Sequence, residues 1–139
     1  MKKKGLIAFL VVVVAAIVAA VFLLSRCEKR DLGAEATQAA VDSYRLLLAG
    51  DYDGYTSNVF GADRMHPDYR SQMVEAYKQF IGQQKDEHGG ILSVKPVNAK
   101  LESEKDSLVN VFMMLCFADS TNEEIVVPMV CRHGRWKMR

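Results

Sequence analysis

About 20 consecutive residues without a charge, Gly5 to Leu24, follow Lys2, Lys3 and Lys4, and no other feature of the 139-residue chain constrains its fold as much. As a helix rising ~1.5 Å per residue, the run is ~30 Å long and matches the hydrocarbon core of a bilayer. A cleavable secretion signal has an apolar region of only about 7 to 15 residues with a small-residue cleavage site behind it. Here the run is longer and "AAIVAA" falls in its middle. The chain therefore reads as a retained membrane anchor, residues 1–31 with the spanning helix at 5–24, ahead of a soluble domain, residues 32–139.

Where the run ends, "LSRC" resembles a bacterial lipobox, in which an apolar residue and two small ones precede the acylated cysteine. Leu24, Ser25 and Cys27 fit the resemblance, but Arg26 occupies the position next to the cleaved bond, where a small residue is required. Lipidation of Cys27 is accordingly disfavoured, and the lipoprotein form stands as the alternative to the anchor. Lysines before the run outweigh by a little the mixed charges behind it, which orients the N-terminus inward. The expected location is the cytoplasmic membrane of a bacterium, with the globular domain on the periplasmic or extracellular side.

Residues 32–139 carry 12 Lys and Arg against 15 Asp and Glu, so the near-neutral total conceals an acidic domain. That argues against nucleic acid as a partner, which calls for a basic footprint. Three amphipathic helices are expected first. Ala36, Ala40, Val41, Tyr44, Leu47 and Leu48 share one face; Asp51 caps a second helix carrying Tyr52, Tyr55, Val59 and Phe60; Pro67 opens a third, which "EHGG" ends. From Ile91 the period changes to short segments rich in Val, Ile and Phe, separated by "SEKD", "DSTN" and "HG". These read as a four-stranded antiparallel meander. The fold class is α+β, three helices on one face of the sheet.

A tight turn at Ser120-Thr121 would place Cys116 opposite Ile125, Met114 opposite Val127 and Phe112 opposite Met129. A turn at His133-Gly134 pairs Cys131 with Trp136. On that register the inner face takes Val97, Leu101, Leu108, Phe112, Met114, Cys116, Ile125, Val127, Met129, Cys131, Trp136 and Met138. Cys116 and Cys131 fall ~20 Å apart, too far for a disulfide, and are expected as reduced core residues. The opposite face shows an apolar stripe, Val109, Val111, Met113, Leu115 and Phe117 with Val126 and Val130, rimmed by Lys100, Glu102, Arg135 and Lys137. It reads as an interface for a second copy or an envelope partner.

The order of helices and strands, with "AGDYDGY", "GGILSV", "VFMMLCFADSTNEEIVVPMV" and "HGRWKM", resembles the cone-shaped nuclear-transport-factor-two-like superfamily. More narrowly it is similar to a domain-of-unknown-function family within it, typically of envelope lipoproteins. The resemblance implies a cone between sheet and helices, in which enzymes of the superfamily hold a carboxylate, His or Tyr. Pocket candidates are Tyr44, Tyr55, Tyr77, Asn110, Phe112, Met114, Met129 and Trp136. No catalytic residue, cofactor or metal ligand is assigned: Asn110 alone is polar on the inner sheet face, and His66, His88 and His133 sit at turns or helix ends without metal spacing. The functional expectation is a membrane-tethered, non-catalytic envelope domain that binds a protein partner or a small apolar ligand. The alternative is a cone-fold enzyme, isomerase- or dehydratase-like, with a Tyr-based pocket.

Overall fold

The computed structural model describes residues 2–25, with side chains to Phe22, and residues 30–139. Arg26 and Cys27, on which the lipidation expectation turns, lie outside the described residues. The chain divides into two compact units, Met1–Arg30 and Asp31–Arg139. Within the first is one helix, α1 (Lys2–Ser25). Its segment Lys2–Phe22 is long and apolar enough to cross a membrane. Leu6, Phe9, Val12, Ile17 and Phe22 leave it uncovered on every side.

The second unit runs α2 (Leu32–Leu48), α3 (Tyr52–Ser57), α4 (Pro67–His88), then β1 (Ile91–Ser103), β2 (Leu108–Phe117), β3 (Asn122–Arg132) and β4 (Arg135–Met138). Each helix starts on a residue that satisfies an orphan backbone donor. Asp31 accepts from the Ala34 N–H at 3.0 Å, Asp51 from Gly54 at 2.9 Å, and the His66 ring from Asp68 at 3.2 Å ahead of Pro67. Gly89, at φ +76°, ends α4 in the left-handed conformation that glycine adopts without strain.

The second helix is shorter than its periodicity suggests. Val59 and Phe60 leave α3 and run parallel to β4: the Phe60 N–H donates to the Met138 carbonyl at 2.7 Å, and the Met138 N–H to Asn58 at 2.8 Å. Six helical residues are too few to hold out against such pairing.

The strands form an antiparallel sheet in the order β1-β2-β3-β4. On the last hairpin the expected register holds, with Cys131 opposite Trp136 and Met129 opposite Met138. On the preceding one it does not. Val111 pairs with Val127, Met113 with Ile125 and Cys116 with Asn122. The loop centres on Asp119, whose carboxylate accepts the Thr121 N–H at 3.0 Å, and Ser120 takes φ +68°. A shift of register by an odd number of residues turns β2 over. The core face of β2 is thus Val109, Val111, Met113, Leu115 and Phe117, all 4% exposed or less. β1 joins β2 with bulges that leave Leu92, Val97 and Glu102 unpaired.

Against this inner face α2 lays Ala36 and Ala40, both fully buried, with Val41 and Leu47. Two alanines in a row along the helix bring its axis close to the strands. α4 touches α3 and β1 and contributes no fully buried residue; Tyr77, Phe80 and Ile81 reach the core only in part. At one end Arg70 holds it to α3, donating to the Asp53 carbonyl at 3.0 Å and the Ser57 hydroxyl at 2.8 Å. At the other, the His88 carbonyl accepts the Asp119 N–H.

Candidate functional site

Three tyrosines meet between helices and sheet. Tyr55 is buried and packs edge-on to Tyr44, with ring centroids 5.7 Å apart, and to Tyr77 at 4.8 Å. Edge-to-face contact suits the aromatic quadrupole and fills the space that a pocket would need. Burial raises all three hydroxyls above the usual phenol range; for Tyr55 the neighbouring Tyr44 adds to the effect, and Tyr44 is lowered in part by the hydrogen bond from Tyr55. They are therefore neutral hydroxyls, able to donate or accept but without a tendency to ionise.

Met129 and Trp136 also lie on the helix side, and the indole N–H donates to Glu35 at 3.1 Å across 101 residues of sequence. The other pocket candidates do not join them. Asn110, Phe112 and Met114 project from the opposite face of β2, because its register with β3 differs from the expected one. Asn110 there donates to Glu102 at 3.0 Å.

The interface expectation needs the matching correction. Val109, Val111, Met113, Leu115 and Phe117 point into the core and offer nothing to a partner. Val126, opposite Phe112, does stand exposed on the outer face, whereas Val130, opposite Leu108, is buried and is not available to a partner. The outer face is apolar even so: Leu108, Phe112, Met114 and Cys116 run down β2, beside Val126, half exposed, and Pro128. Cys116 moves to this face, Cys131 stays with Trp136, and both thiols are free.

Across the middle of this face runs one row, Lys95 on β1, Met114 on β2 and Glu124 on β3, all directly paired. Adjacent strands are ~4.8 Å apart, so the two charges are separated by ~10 Å with the methionine between them. Neither has an ion-pair partner among the described residues.

Of the histidines, His66 is a helix cap and His133 sits in a hairpin turn at φ +53°. His88 is not merely a solvated helix end. Its Nδ1 lies 2.8 Å from Asp119, its ring stacks on Phe117 at 4.4 Å, and the Thr121 hydroxyl donates to the same carboxylate. Thr121 first, then His88, holds the Asp119 carboxyl at about 2. Local signals for the turn were present in "ADST", an Asp two residues before a Thr, but only the tertiary fold brings His88 to it. No group of three or more His, Cys, Asp or Glu placed to hold a metal occurs among the described residues.

No family model matches the chain, and no curated protein matches it. Among solved structures it is similar to a protein from Campylobacter jejuni named as an NTF2-like transpeptidase, with a TM-score of 0.57 and 12% identity over 71% of this chain and 92% of the other. At that identity the likeness concerns the fold. The α+β cone, helices on one side of a four-stranded antiparallel sheet, is an NTF2-like fold.

Proposed function

We propose that the chain is a membrane-tethered, non-catalytic domain of the bacterial envelope, with its N-terminus inside and its cone domain outside, and that it pairs with a second copy through the outer sheet face. The tether reading is supported by the length of α1 and its apolar surface on every side. The pairing reading rests on the row Lys95–Met114–Glu124. If two sheets stack face to face about a two-fold axis that runs along β2, each Lys95 meets the Glu124 of the other copy, and Met114 and Phe112 meet themselves. The pattern is self-complementary, as an isologous interface must be.

The buried hydroxyls support a non-catalytic reading. A transpeptidase, like any acyl-transfer enzyme with a covalent intermediate, uses a nucleophile beside a base. Ser43, buried, donates its hydroxyl to the Ala39 carbonyl at 2.8 Å and accepts from the Asn58 amide; Thr56 donates to the Tyr52 carbonyl at 2.7 Å. Both hydroxyls serve their own helices.

The test is charge reversal in the full chain, purified in a non-ionic detergent and weighed by light scattering. Lys95→Glu and Glu124→Lys alone should each convert dimer to monomer, and the two together should restore the dimer. A monomeric wild type, or a dimer indifferent to either reversal, would refute the pairing. A reporter fused after Arg139 that is active in the cytoplasm would refute the orientation.

A further inference from the structure

The acidic domain keeps four of its twelve cations around one cleft, at the end of the sheet where β4 meets the segment after α3. The cleft has a volume of about 790 Å³, within the ~300–1,000 Å³ usual for small-molecule sites. Its basic wall is Arg64, Arg132, Arg135 and Lys137; its apolar wall is Val59 and Phe60, the latter 45% exposed. Asp63 is the one acid on the lining.

The backbone holds these charges together against their repulsion. His133 and Gly134, both at positive φ, make the two-residue turn that fixes Arg132 directly opposite Arg135. Like charges in facing positions of a hairpin are destabilising. Elsewhere this fold pairs or disperses its cations, yet here no carboxylate lies within ion-pair distance of any of the four among the described residues. Two of them are positioned by the main chain instead. The Arg132 Nη1 donates to the carbonyls of Asp106 at 2.6 Å and Cys131 at 2.8 Å, and the Lys137 ammonium to that of Ser57 at 2.8 Å. Each retains further N–H donors, and among the described residues no ion pair occupies the guanidinium of Arg64 or Arg135.

We infer that this cleft binds an organic phosphate, with its dianionic head among Arg64, Arg132, Arg135 and Lys137 and an apolar body against Val59 and Phe60. Arginine forks match phosphate oxygens in pairs, and several cations around one site suit a dianion better than a single carboxylate. The apolar wall accounts for an aromatic as large as Phe60 being left half in solvent. The inference is independent of the pairing through the outer sheet face.

Calorimetric titration of the full chain in non-ionic detergent decides it, with 1-naphthyl phosphate, inorganic phosphate and uncharged 1-naphthol as probes. 1-Naphthyl phosphate is expected to bind about tenfold more tightly than inorganic phosphate, and 1-naphthol not at all. Phe60→Ala should remove that advantage and leave inorganic phosphate unchanged. Arg135→Gln should weaken both phosphates about tenfold while leaving the melting temperature equal or higher, since the facing repulsion is relieved. Repeating the titration in nanodiscs locates the source. A lower apparent affinity in phosphatidylglycerol than in phosphatidylcholine identifies a lipid headgroup as the natural phosphate, and equal affinity a soluble one. Absence of saturable heat up to about 10 mM 1-naphthyl phosphate, or equal affinity in Arg135→Gln, overturns the assignment.

Discussion

Met113 and Met114 are neighbours of the same residue type on the same strand, and they should respond to truncation in opposite ways. Met113 is fully buried beneath the helices, whereas Met114 faces outward between Lys95 and Glu124. Met→Ala removes three heavy atoms, about 2.4 kcal/mol of transfer free energy at roughly 0.8 kcal/mol per methylene. At position 113 the void left behind adds to this, which places the loss near the middle of the ~2–5 kcal/mol seen for such core truncations. At position 114 part of the side chain is already in water and no closed void results, so the cost in the monomer is about 1 kcal/mol. A difference of about 2 kcal/mol corresponds to ~8 °C in melting temperature for a domain near 100 residues. Trp136, the single tryptophan, reports on unfolding from its hydrogen bond to Glu35. Its fluorescence can be followed at a concentration low enough to keep the chain monomeric. If Met114→Ala melted as low as Met113→Ala, or lower, β2 would lie the other way up and both the core and the proposed pairing face would be misassigned.

Two further outcomes follow from α4 and its ends. Because Asp119 has its folded value lowered to about 2, its contacts with Thr121 and His88 contribute stability above the ordinary carboxylate range and lose it as pH falls through about 2. Carbon NMR of the Asp119 carboxyl should show that midpoint and an upward move in Thr121→Val; a wild-type midpoint near 4 would refute the linkage. Gly89→Ala should lower the melting temperature, since Gly89 has φ +76° and a Cβ there would sit 3.1 Å from Ala118 Cβ. Gly82→Ala, in open space within α4, should raise it. Each change is about 1 kcal/mol, read by thermal denaturation, and equal signs for the two would contradict the assigned end of the helix.

The order of elements was legible because each boundary had local chemistry. Pro67 marks the start of α4, "EHGG" its end, and the change from helical to alternating period marks β1. The register of β3 with β4 was legible for the same reason: "HG" allows one tight turn. The turn after β2 was not. "ADSTN" accommodates a loop centred on Asp119 or one between Ser120 and Thr121, and the choice lies with one carboxylate and one backbone N–H. Nor could β2 itself decide, since Leu108–Phe117 is apolar at every position but Asn110 and either face would serve as core. The same ambiguity carried Phe112 and Met114 into the expected pocket and Met113 into the expected interface. The tyrosines escaped it because their helices have a single apolar face. His88 with Asp119, and Arg64 with Arg132, lie 31 and 68 residues apart, and nothing in either local sequence announces the other.

The margins of the sheet have a consequence for how this protein avoids unwanted association. At one margin Asn58 and Phe60 already occupy backbone groups of Met138, so an intruding chain finds few free donors or acceptors there. At the other, β1 carries Pro96, which has no N–H to offer, and bulges at Leu92, Val97 and Glu102 that interrupt any regular ladder. Both rims are thereby blunted against a polypeptide arriving sideways, and the route by which exposed strands nucleate amyloid is opposed at both. A chain whose strand β2 is apolar on both faces gains by that arrangement the freedom to keep an apolar outer surface without polymerising along its sheet.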